Sequence, residues 1–188
     1  MLDFSIHHLD TLSNFFDFCR NLEYGWVDTN GRKHHGPNNS PEYRLQTPSE
    51  TLSRQIGICW DQTELQRAWF TTHGHTATSY LIFYKLEDSW PSHSILIYRE
   101  GNQYCWFEPM FNNTAIYYCG IHKYNSLSEL LNHFRTKFIR NSRDSGFLPP
   151  EFDFEKLHLY EYSKPVYGID DVAFFTHCTR GTEIKLNK

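Results

Sequence analysis

The chain has 188 residues, 18 Lys and Arg against 22 Asp and Glu, a net charge of −4 with its 11 histidines neutral, and 17% aromatic residues. That is enough chain for one domain with a real core, and the aromatics favour packed structure over disorder. The acidic balance argues against a nucleic-acid partner or a membrane-surface patch, and no stretch approaches the roughly 20 apolar residues of a membrane span.

The elements follow in chain order. Leu9, Leu12, Phe15, Phe16, Cys19 and Leu22 recur at helical spacing and predict a helix near residues 10–24, with Gly25 as its stop. Residues 27–46 are polar and carry the turn signals Asn30-Gly31, Gly36-Pro37 and Ser40-Pro41. A loop of that length is expected to border or cover a cleft, and deletion of about residues 32–39 to spare folding. Thr47-Pro48-Ser49-Glu50 reads as the capped start of a short helix ended by Gly57. A second helix is expected over 59–72, with Leu65, Ala68 and Trp69 along one side.

Residues 80–86 are β-prone. The next two strands flank Gly101-Asn102, a pair suited to a two-residue type II′ turn. Ser126-Leu127-Ser128-Glu129 is a second capping box, and the helix after it presents Leu127, Leu130, Leu131, Phe134, Phe138 and Ile139 on one face. A connector over 143–155 leads to a strand at 157–162, a short helix near 170–176 and a strand near 183–186. Helices, an antiparallel meander, then helix and strands make an α+β fold: a central antiparallel sheet packed against a helix. One domain is expected over 1–188, with its core at about 45–140 and a C-terminal strand–helix–strand extension at about 157–188.

Three residues carry the chemistry. Cys59 opens the second helix, where unpaired N–H groups and the helix dipole lower a thiol pKa and aim a backbone donor at an oxyanion. His93 begins an apolar strand, and Glu108 ends the strand that pairs with it. With a Gly101-Asn102 turn, Glu108 falls opposite Ile95 and His93 is its diagonal neighbour. An even turn therefore leaves both side chains on one face, about 5 to 8 Å apart at Cβ. Thiol, imidazole and carboxylate are the nucleophile, base and orienting group of a cysteine acyl-transfer site.

Gly57-Ile58-Cys59-Trp60-Asp61, His93 with its apolar strand, and Trp106-Phe107-Glu108 resemble the transglutaminase-like branch of the papain-like cysteine protease superfamily. The resemblance covers about residues 45–140, with a glutamate where that superfamily usually has aspartate or asparagine. It implies a papain-like or transglutaminase-like fold and a protease, deamidase or transglutaminase acting on a protein or peptide. Papain-like enzymes take a second oxyanion donor from an upstream glutamine. Gln55 is the nearest one here, and Tyr43 is a further candidate.

Asp61 and Trp60 read as structural, and His177-Cys178 likewise. His7-His8, His34-His35 and His73-Gly74-His75 lack the spacing of a zinc site, and no EF-hand-like loop is present, so neither metal nor cofactor is expected. Five irregularly spaced cysteines without a CxxC, and no signal peptide, fit reduced thiols in a cytoplasm. Two other readings stay open: an arylamine N-acetyltransferase-like enzyme, whose Arg-Gly-Gly-x-Cys pattern is replaced here by Arg54-Gln55-Ile56-Gly57-Ile58-Cys59, and a non-catalytic binding module on the same fold.

Overall fold

A computed structural model of the protein describes residues 9–37, 40–109 and 118–185. Helix α1 (Leu12–Arg20) is capped by Thr11, whose hydroxyl accepts the Asn14 N–H at 3.2 Å, and it buries Phe15 and Cys19. It ends well before Gly25, which instead opens strand β1 (Gly25–Val27), paired antiparallel with β2 (Lys33–His35). A Cβ on Gly25 would lie 2.1 Å from the His34 carbonyl oxygen. This glycine serves a close strand contact rather than a helix stop.

The polar segment is thus a hairpin with buried anchors, not a bare loop. The Asp28 carboxylate accepts the N–H groups of Asn30 and Arg32, both at 2.9 Å, and contacts His34 Nε2 at 2.9 Å. Trp26 stacks on the His34 ring, with centroids 4.3 Å apart. Tyr43 and Leu45 are fully buried and pack in the same cluster as Cys59. Deleting residues 32–39 would remove β2 itself, so the expectation that folding would be spared does not hold. The polar composition hid the hairpin because Asx-type turn bonds, rather than apolar contacts, close its tip.

Helix α2 (Pro48–Arg54) opens with the expected capping box. Thr47 Oγ1 accepts the Glu50 N–H at 3.1 Å, and Glu50 Oε2 accepts the Thr47 N–H at 2.9 Å. Helix α3 (Cys59–Thr72) follows. The central sheet contains β3 (Ala77–Tyr84), β4 (Ser92–Glu100), β5 (Gln103–Glu108), β6 (Gly120–Tyr124), β7 (Leu157–Tyr162) and β8 (Thr182–Glu183), in the order β6-β5-β4-β3-β7-β8. Every neighbouring pair is antiparallel. The C-terminal strands therefore continue the central sheet beyond β3. Strand β6 has no apolar alternation and escaped the sequence reading. Its Lys123 pairs with Glu100 at 2.6 Å, as befits a charged sheet edge.

Alternate strand residues face opposite ways, and the helices divide accordingly. Helix α4 (Leu127–Asp144), capped by Ser126, lays Leu130, Leu131, Phe134 and Phe138 over Tyr80, Ile82, Ile95, Ile97 and Trp106. On the other face, α1 and α3 cover Leu96, Tyr98, Cys105 and Phe107. The start of α3 and helix α5 (Asp171–Thr179) cover Leu81, Phe83 and Tyr162. The fold is α+β, with helices on both faces of a mostly antiparallel sheet. Among the described residues no helix is long and apolar enough to cross a membrane.

Candidate active site

The position of Cys59 is built by the turn before it. Residues 55–57 run beside Glu23: the Glu23 N–H donates to the Gln55 carbonyl at 3.0 Å, and the Gly57 N–H donates to the Glu23 carbonyl at 3.1 Å. Asp61, wholly buried, closes the first turn of α3 by accepting the Ile58 N–H at 3.0 Å on Oδ2. Its Oδ1 accepts the Gln46 N–H at 2.8 Å and the Tyr43 hydroxyl at 3.0 Å. Burial pushes the Asp61 carboxyl up to about 7, against the pull of those donors. Asp61 thus ties the helix start to the incoming chain, a structural role.

Gly57 is required by space, not by a positive φ. A Cβ there would lie 2.9 Å from Asp61 Cβ and 3.2 Å from Thr51 Cγ2. Gly57→Ala should therefore destabilise the protein by about 1–3 kcal/mol through overpacking. Urea denaturation measures this, and an unchanged midpoint would show that the turn can relax.

His93 and Glu108 come from the β4–β5 hairpin. Gly101 has φ 57° and Asn102 does not share a positive φ, which is the type II′ pattern. Glu100 pairs with Gln103 and Leu96 with Phe107, so the register places Glu108 beyond the last pair, diagonal to His93. His93 Nε2 lies 2.9 Å from Glu108 Oε2. The same oxygen accepts the Trp106 Nε1–H at 3.3 Å, and Tyr118 stacks on the imidazole with centroids 4.5 Å apart and planes 10° from parallel.

Cys59 is the third member: after Glu108, its side chain is what most favours the charged imidazole of His93. His93 and Glu108 belong to the sheet face that α4 covers, as their contacts with Phe134 and Trp106 show. Cys59 packs with Leu81 and Phe83 on the opposite face. The sulfur therefore reaches the imidazole across the sheet, where the β4–β5 ladder has ended. Cys59, His93 and Glu108 are 6%, 6% and 3% exposed.

Burial by itself would lower the His93 pKa. The Glu108 charge and the hydrogen bonds to Cys59 and Glu108 outweigh it and raise the imidazole to about 10. The ring is held as a cation between a sulfur and a carboxylate.

Gln55 sits outside this group. It is exposed, ends α2 at φ 54°, and its backbone bonds to Thr51 and Glu23. The Tyr43 hydroxyl is spent on Asp61. His34 bonds to Asp28, His73 Nδ1 to the Trp69 carbonyl at 2.8 Å, and His177 Nε2 to the Ser163 carbonyl at 2.9 Å, while Cys178 is buried. His7 and His8 lie outside the described residues. Sequence reasoning missed Trp106 as a Glu108 partner, although its spacing of two puts it on the same strand face. It also missed Tyr118, which no local pattern marks. No family model matches the chain, and no curated protein matches it.

Proposed function

We propose that the protein is a cysteine-dependent acyl-transfer enzyme of papain-like, transglutaminase-like architecture, acting on a peptide or carboxamide. The observation that supports this reading is the buried His93–Glu108 pair, 2.9 Å apart, with Cys59 at the start of α3 among the groups that raise the His93 pKa. His93 already carries the proton as imidazolium, and the Cys59 sulfur attacks the carbonyl carbon as the thiolate. The carbonyl π electrons move to oxygen, which the Cys59 N–H, without a backbone partner among the described residues, receives. Collapse to a thioester expels the amine, which takes its proton from the His93 imidazolium. Water or a second amine then attacks the thioester, His93 takes up its proton, and the thiolate leaves. Glu108 fixes the ring orientation throughout, and Trp106 holds the carboxylate.

The test is a brief iodoacetamide pulse followed by mass spectrometry. All five cysteines are free, and Cys119 is exposed while the other four are buried. At neutral pH Cys119 could label through access alone, so the pulse belongs at pH ~6, where an ordinary thiol is well under ~1% thiolate. Labelling led by Cys59, despite its burial, is the expected result. Labelling led by Cys119, or none at Cys59, would remove the nucleophile and the proposal.

A further inference from the structure

We infer that His122, on the edge strand β6, is a positioning residue of the candidate site: it anchors Tyr118 against the His93 imidazole. This deepens the acyl-transfer reading and rests on it. The first argument is register. Trp106 pairs with His122, and Glu108 with Gly120, across β5 and β6. The His122 side chain therefore shares the sheet face of Trp106 and Glu108. The imidazole packs on the fully buried Trp106 indole, with centroids 4.6 Å apart and planes 32° from parallel. That same indole donates to Glu108 Oε2 at 3.3 Å.

The second argument is the turn that leads into β6. His122 Nε2 lies 2.7 Å from the Tyr118 carbonyl oxygen. A carbonyl only accepts, so Nε2 carries the hydrogen and donates it. Gly120, between the two residues, adopts φ 130°, a conformation that suits glycine. Tyr118 is buried, and its ring stacks on His93 with centroids 4.5 Å apart and planes 10° from parallel. The core thus fixes His122 through Trp106, and His122 fixes the backbone of the residue that covers His93.

The third argument is that the neighbouring rings do not share this task. His133 and Phe134 of α4 also flank the Trp106 indole, with centroids 6.3 and 5.2 Å from it. Phe134 has no donor, and the buried Nε2 of His133 has no hydrogen-bond partner among the described residues. His122 is itself half-buried on the sheet edge, a place where substitution is tolerated.

The test is the pH dependence of Cys59 alkylation by iodoacetamide, read by mass spectrometry. His122→Phe keeps a ring opposite Trp106 but loses the donor, whereas His122→Gln keeps a donor of similar reach. With Tyr118 unanchored, the imidazolium is held less firmly beside the sulfur, and thiolate forms only at higher pH. His122→Phe should slow alkylation about tenfold at pH ~6 and leave it within about twofold at pH ~9, where an ordinary thiol ionises unaided. His122→Gln should stay within about threefold of the parent at both, since the hydrogen bond is kept. In a Tyr118→Ala background His122→Phe should cost less than about twofold more, because it acts through that ring. Parent rates in His122→Phe, equal losses at the two pH values, equal losses in the Phe and Gln variants, or an undiminished loss without the Tyr118 ring would each overturn the assignment. So would labelling of the fully buried Cys19 and Cys178 in both variants, the mark of a merely structural role. Parent Cys59 that takes no label at pH ~6 would instead overturn the acyl-transfer reading, and this one with it.

Discussion

Replacing Cys59 with alanine is expected to abolish acyl transfer, lowering turnover by more than about 10⁴-fold. In the proposed mechanism Cys59 supplies the bond-forming atom, and the other buried thiols are not placed to substitute. Cys19 and Cys178 are fully buried, and burial raises both thiols above the ordinary range. Cys105 is also buried and raised, and its sulfur lies near Glu100. The substitution removes one buried sulfur, so its stability cost should be modest, on the order of 1 kcal/mol. Catalysis and folding are therefore separable in this variant, and circular dichroism with a turnover assay on a peptide or carboxamide substrate reads both. His93→Ala is a poorer probe, since it strands the Glu108 carboxylate, 3% exposed, with the Trp106 indole as its remaining hydrogen-bond partner among the described residues. A folded Cys59→Ala protein that keeps its turnover would end the proposed mechanism.

Glu108→Gln should cost about 10²–10⁴-fold in turnover, because the amide keeps the shape of the site but not the charge that holds the imidazole cationic and oriented. The same variant changes the dependence of stability on pH. The His93 pKa is raised to about 10 in the folded protein, against about 6.5 in an unfolded chain. Its contribution to stability is thus fully present below about pH 6.5 and is lost as pH rises towards about 10. With Glu108 neutral, the largest raising influence disappears and burial is opposed only by the Cys59 contact. The imidazole pKa should drop, and the loss of stability across that alkaline window should shrink or vanish. Denaturant midpoints collected from pH ~6 to ~10 measure the difference. Identical alkaline profiles for the two proteins would show that Glu108 does not govern the charge on His93.

Local signals account for much of this site. The capping box at Thr47 and Glu50, the helix Cys59–Thr72 and the Gly101-Asn102 turn depend on neighbours a few residues apart, so sequence alone determined them. The turn carried the most information. A two-residue loop sets the register, and the period of two in a strand then places His93 and Glu108 on one face.

What depends on distant contacts was decided by the tertiary structure. The hairpin of β1 and β2 is held by the Asp28 carboxylate and by stacking of Trp26 on His34, which a polar composition conceals. Strand β7 joins the sheet beside β3, with partners such as Ser79 and Tyr162 far apart in the chain, through backbone pairing that has no sequence code of its own. Strand parity says which residues share a face but not which helix covers it. Only the packing of α3 and α4 on opposite faces, with the β4–β5 ladder ending at Leu96 and Phe107, brings the sulfur through to the imidazole. Tyr118 joins the same group by folding alone, since nothing about a tyrosine in its own segment marks the side chain it will meet.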